Sequence, residues 1–124
     1  MDWHIKLDIR AVAKARPFVC RSGRVFTPKK TACFERDLKR LLATGFGAPP
    51  LEGAVSMVVN FSFVRPKSVK RKFPTTRGDV DNFLKSVLDA GNGVLYLDDS
   101  QVVSVLATKE YGSDSISIFI STLD

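Results

Sequence analysis

Apolar and polar side chains alternate from residue 3 to residue 10, with Trp3, Ile5, Leu7 and Ile9 set against His4, Lys6, Asp8 and Arg10. A two-residue period predicts a half-buried strand. The same period returns over residues 54–64 through Val55, Met57, Val59, Phe61 and Phe63, a longer strand. Between these stretches the period changes. Phe34, Leu38, Leu41 and Leu42 share one face of a helix, which Thr27 and Pro28 open as N-cap and first-turn proline and which stops near Gly45. Leu84, Val87 and Leu88 predict a second, shorter helix over residues 80–90 that buries those three and ends at Gly91-Asn92-Gly93. Residues 101–109 and 115–122 read as two further strands, joined as a hairpin across the Tyr111–Asp114 turn.

Glycine and proline punctuate the remainder. "ARPFVCRSGRVFTP" predicts two short strands around a Ser22-Gly23 turn, and "GFGAPPLEG" and "RPKSVKRKFPTTRG" are loops. The pattern predicts an α+β fold: one domain over residues 1–124, a mixed sheet and two main helices. The order strand, helix, strand from 54 to 109 allows a right-handed crossover. A chain of 124 residues that is 44% hydrophobic has the apolar material for one core. It holds no run of about 18 apolar residues, so no membrane span is expected. Its first residues lack the apolar stretch of a signal peptide, so a cytoplasmic protein is expected. Cys20 and Cys33 then read as free thiols. With His4 the sole histidine, they are too few for a tetrahedral zinc site.

Charge changes the picture, through its distribution more than its total of +6. Residues 1–78 carry 17 Lys/Arg against 5 Asp/Glu, a balance of +12, whereas residues 79–124 carry 2 against 8, a balance of −6. Two acid-free stretches stand out. One includes Arg16, Arg21, Arg24, Lys29 and Lys30; the other includes Lys67, Lys70, Arg71, Lys72 and Arg77. Clustered cations of this kind are the footprint of a polyanion-binding surface, where each phosphate contact releases counterions. A merely soluble basic face fits the composition too.

Against that background, "RGDVDNFLKSVLDAGNGVLYLDDSQVV" gathers five aspartates around one lysine. Asp79 and Asp81 flank Val80 where the basic loop meets the second helix. Asp98 and Asp99 precede the next strand. Should the strands at 54–64 and 101–109 be neighbours, the two acidic groups could meet and hold Mg²⁺, a hard cation that takes carboxylate oxygens and keeps several waters. Lys85, four residues after Asp81, would share its helix face and could stabilise charge on a phosphate. Plainer roles exist for each. Asp81 could cap the helix, Asp81 and Lys85 could form a helical ion pair, and Asp98-Asp99-Ser100 could be a turn. An EF-hand is excluded by Phe83 and Leu84 at the fifth and sixth loop positions. A Ser–His–Asp or Cys–His centre is disfavoured because His4 lies in a strand far in sequence from any nucleophile.

These residues resemble the signature of the RusA family of Holliday-junction resolvases of bacteria and their phages. The resemblance lies in Asp79, Asp81, Asn82 and Lys85, followed by Asp98, Asp99, Gln101, Val102 and Val103. The segment "ARPFVCRSGRVFTPKK" is similar to the family's basic N-terminal region. The resemblance implies that Asp79, Asp81 and Asp99 are the essential metal-holding aspartates, that Lys85 is catalytic, and that Asp98 is auxiliary at most. It also implies Mg²⁺ or Mn²⁺ as cofactor, and a homodimer that nicks opposed strands of a four-way DNA junction. The sequence departs from the family pattern at Gly91, where a larger apolar residue is expected; glycine there should shorten the helix.

Two functions follow. One is a metal-dependent, structure-selective endodeoxyribonuclease in DNA recombination and repair. The other is a non-catalytic module that binds junctions, although convergent carboxylates would repel phosphate unless a cation intervened.

Overall fold

The computed structural model describes residues 1–13, 18–19, 25–26, 29–76 and 78–123. At its centre is β4 (Val55–Phe63), whose alternate residues Val55, Met57, Val59, Phe61 and Phe63 are all buried. Each such side chain contributes roughly 1.5–3 kcal/mol on leaving water. The sheet order is β1-β6-β4-β5, with β1 (Asp2–Leu7), β5 (Val102–Tyr111) and β6 (Ser115–Thr122). β6 runs antiparallel to both β1 and β4, while β4 and β5 are parallel, so the sheet is mixed. With its two helices this is the α+β architecture read from the sequence.

One face of the sheet is dry. Ile5 and Leu7 of β1 and Ile116, Ile118 and Ile120 of β6 join the β4 row there. Helix α1 (Lys29–Phe46) closes it with Phe34, Leu38, Leu42 and Phe46, one residue per turn. Helix α2 (Val80–Gly91) adds Phe83, Val87 and Ala90, and the Phe83 ring lies 5.6 and 5.3 Å from those of Phe61 and Phe63. The buried stripe of α2 is thus rotated from the expected one: Leu84 and Leu88 sit half-buried on its flank, since Phe83 takes the place above β4. On the open face His4 stacks on Phe119 at 4.0 Å, a structural place for the lone histidine.

Two short strands, β2 (Phe18–Val19) and β3 (Val25–Phe26), pair antiparallel as the basic segment predicts. The Ser22-Gly23 turn and the Thr27-Pro28 cap lie outside the described residues.

The expected hairpin between the last two strands does not form. β4 lies between β5 and β6, and the connection after Tyr111 passes under its end, where Gly112 N donates to Phe63 O and Val64 N to Asp114 Oδ1. A central strand as apolar as β4 has to be covered on both edges, and the parallel crossover through α2 covers one of them.

Candidate active site

Asp79 is the N-cap of α2 by backbone position, yet its carboxylate makes no capping hydrogen bond. Asp81 lies in the first turn, and both side chains are exposed. Neither has an ion-pair or side-chain hydrogen-bond partner among the described residues. Capping, the plain role for an aspartate here, is therefore performed by neither carboxylate. The second plain role fails as well: Lys85 reaches Asp89, 3.5 Å away, and leaves Asp81 alone. That pair of an exposed lysine and a half-buried aspartate is worth about 0.3–0.5 kcal/mol.

The backbone entering this turn is held from two sides. Gly78 has φ +109, a conformation open to glycine, and a Cβ there would stand 3.2 Å from Phe83 Cζ. From β5, Lys109 Nζ donates to Gly78 O at 2.8 Å and to Thr76 O at 3.3 Å. Sequence reading missed Lys109 because only the pairing of β5 with β4 brings it beside the loop.

The other acidic group is built differently. Asp98 caps a one-turn 3-10 helix (Asp99–Gln101) by accepting from Ser100 N, and Gln101 Oε1 accepts in return from Asp98 N and Leu97 N. The Ser100 bonds hold the Asp98 carboxyl below the usual carboxylate range. Gln101 Nε2 donates to Leu51 O and Gly53 O, which ties this turn to the chain entering β4. Asp98 and Gln101 are thus occupied in structure, and the spacing Asp-x-x-Gln carried that signal. Asp99 is left over.

Asp99 does not meet Asp79 and Asp81 within one chain, and among the described residues no group of three His, Cys, Asp or Glu side chains could hold a metal ion. The condition posed from the sequence is met, since β4 and β5 are neighbours. Their parallel pairing, however, places the start of β5 beside the start of β4, with Val102 opposite Val55. Asp79 and Asp81 stand at the far end, beside Lys109, which is opposite Phe61. Helix α2 spans the gap, and its 12 residues are about 18 Å long. Tyr96 marks the Asp99 end. Its hydroxyl donates to Leu88 O at 2.8 Å, and burial, then the nearby Asp99, Asp89 and Asp98 charges, push its pKa above the ordinary value.

Of the candidate DNA-contacting residues, Lys29 and Lys30 are exposed at the start of α1, and Lys67, Lys70, Arg71 and Lys72 are exposed in the loop leading to Asp79. Arg16, Arg21, Arg24 and Arg77 lie outside the described residues. Within that loop Lys72 Nζ lies over the Phe73 ring, 5.5 Å from its centroid, and Phe73 is itself exposed. An exposed aromatic among cations is the kind of surface on which a base can stack, and charge counting alone does not detect it.

An uncapped acidic pair at a helix start, reached through a basic loop on a mixed α+β sheet, has the character of a nucleic-acid enzyme. The comparisons agree. The family profile described as Endodeoxyribonuclease RusA matches residues 8–121, and this chain belongs to that family. It is also 36% identical over 118 residues to YqaN of Bacillus subtilis (strain 168), described as an uncharacterized protein, with 83% of each chain covered. Membership implies endodeoxyribonuclease activity of the Holliday-junction resolvase type. Among the described residues, no helix is long and apolar enough to cross a membrane.

Proposed function

We propose that the protein is a divalent-metal-dependent, structure-selective endodeoxyribonuclease that resolves four-way junctions by paired nicks in DNA recombination and repair. In this reading it works in the cytoplasm as a homodimer, with one site for each of the two equivalent strands. The observation that carries the reading is the Asp79–Asp81 pair: two exposed carboxylates, excused from capping and ion pairing, inside the family match.

Their chemistry suits Mg²⁺ or Mn²⁺ in part, since such ions are often held by one or two carboxylates and substrate phosphate. Among the described residues no third carboxylate joins them to form a group that could hold a metal ion. When bound, the cation would neutralise charge on the phosphodiester and favour an ionised water. The chain's own residues then have distinct tasks. Asp79 and Asp81 provide the anionic cradle, Lys109 holds its backbone in place, and Lys85 can swing from Asp89 to a phosphate oxygen. The basic loop grips the DNA backbone and sets junction orientation by phosphate contacts, independently of sequence.

The test is a synthetic four-way junction incubated with purified protein and Mg²⁺ or Mn²⁺. Paired symmetric nicks that stop with EDTA while binding persists are the expected result. Binding without nicking under every divalent ion would favour the junction-coating module instead.

The loop makes its own prediction. Reversing Arg71 and Lys72 to glutamate should weaken junction binding and flatten its salt dependence, because each lost phosphate contact removes about 0.9 from the slope of log K against log salt. An unchanged slope would place the loop away from DNA.

A further inference from the structure

The loop between β4 and α2, which grips the DNA backbone in the proposed function, carries an aromatic side chain that phosphate contacts leave without a task. Resting on that reading, we infer that Phe73 is a stacking platform for an unstacked base at the crossover of the junction, and that it sets the branch point beside the Asp79–Asp81 pair.

The loop is braced so as to present this ring. Phe73 is 53% exposed, although the next residue, Pro74, is buried. Arg71 Nη2 donates to Thr76 Oγ1 at 3.1 Å, a bond that closes the chain on both sides of Phe73. Lys109 Nζ donates to Thr76 O and Gly78 O, which ties the same segment to β5. On the earlier limb, Val69 N donates to Pro66 O and closes a turn. With Pro74 packed inside and Thr76 held from two directions, the ring is kept where water meets it.

Lone exposed apolar residues are common on proteins, so exposure by itself decides nothing. The surroundings of Phe73 decide more. Residues 64–78 hold Arg65, Lys67, Lys70, Arg71, Lys72 and Arg77, with no Asp or Glu. Lys72 Nζ lies over the ring, 5.5 Å from its centroid. A nucleotide matches both features at once, offering a base face to the ring and a phosphate to the ammonium beside it. An apolar partner would cover the ring and leave the cations unmatched. A duplex keeps its bases stacked inside, whereas the crossover of a four-way junction is where a base loses its neighbour at least cost. Asp79 follows Phe73 by six residues, so the two backbone positions lie within roughly 20 Å. The cut phosphate would then fall within about six nucleotides of the stacked base.

Binding in EDTA tests the stack apart from any cleavage. One four-way junction carries the fluorescent base 2-aminopurine at the crossover, and a second carries it in the middle of an arm. Wild-type protein should shift the emission of the crossover probe at saturation and leave the arm probe level. Phe73→Ala should abolish the shift and weaken junction binding about tenfold, with affinity for a duplex of the same sequence held within about twofold. Phe73→Trp should restore both signals, and Phe73→Leu, which keeps apolar bulk without a ring, should behave as alanine does. An emission shift that survives Phe73→Ala overturns the inference, as does an equal loss of junction and duplex affinity or a rescue by leucine. The proposed activity fails separately: a wild type that shifts the crossover probe in EDTA yet nicks nothing with Mg²⁺ or Mn²⁺ keeps the platform and loses the cleavage.

Discussion

Asp81→Asn is expected to leave junction binding intact and to slow single-turnover nicking by about 10³-fold, equivalent to ~4 kcal/mol of transition-state stabilisation. The side chain keeps its size and loses its charge, and no described residue pairs with that charge. Asp81 is exposed, has no ion pair among the described residues and does not cap the helix. The one structural debt is its favourable place in the first turn of α2, worth about 0.3–1 kcal/mol, so the melting temperature should move by only a few degrees. Binding measured without divalent metal should stay level or tighten, since a negative charge near phosphate has gone. The separation between an unmoved binding curve and a collapsed rate identifies a group that works at the reacting bond. A variant that nicks at the wild-type rate would reduce Asp81 to a helix-start acid and leave the family's activity to other residues.

Much of this was legible beforehand because it is local. The alternation through Val55–Phe63 and the one-per-turn row in α1 report which side of an element meets the core. The interruption by charged loops reports where elements end. The acidic pair was visible because the two aspartates flank a single residue and repel each other, and because they open a cluster of five in a basic chain. What stayed hidden depends on how elements pair. Strand direction is invisible in a two-residue period, which is the same for parallel and antiparallel neighbours. The period left the direction of β4 and β5 open; the crossover that the element order allowed is the parallel one, and that pairing puts Asp79 and Asp99 at opposite ends. The same blindness produced the expected hairpin between β5 and β6, whose short connection usually signals direct pairing. Here the stronger demand came from β4, which requires a neighbour on each side. Lys109 escaped notice for a related reason, since a lone lysine in a strand carries no sign that its amine closes a loop 31 residues away.

Gly91→Leu, a larger apolar residue of the kind expected here from the sequence resemblance, should destabilise the protein by about 3 kcal/mol and lower its melting temperature by roughly 10 °C. Helix propensity points the other way, because replacing glycine inside a helix ordinarily gains up to ~1 kcal/mol. Packing decides the sign. α2 runs through Gly91 rather than stopping short of it, and the Tyr96 ring has settled against the bare backbone. A Cβ at this position would stand 2.6 Å from Tyr96 Oη, 2.9 Å from Cζ and 3.2 Å from Leu95 Cδ1, and Tyr96 and Leu95 are both fully buried. The ring cannot step aside without breaking its bond to Leu88 O and disturbing the turn that bears Asp99. Gly91→Ala should cost less, and a double-mutant cycle with Tyr96→Phe locates the strain: deleting the hydroxyl removes the shortest contact, so the alanine penalty should shrink in that background. Penalties that simply add would mean the tyrosine gives way freely. The glycine would then be a tolerated departure from the family pattern, where the geometry makes it the residue that lets Tyr96 anchor the Asp99 turn beneath α2.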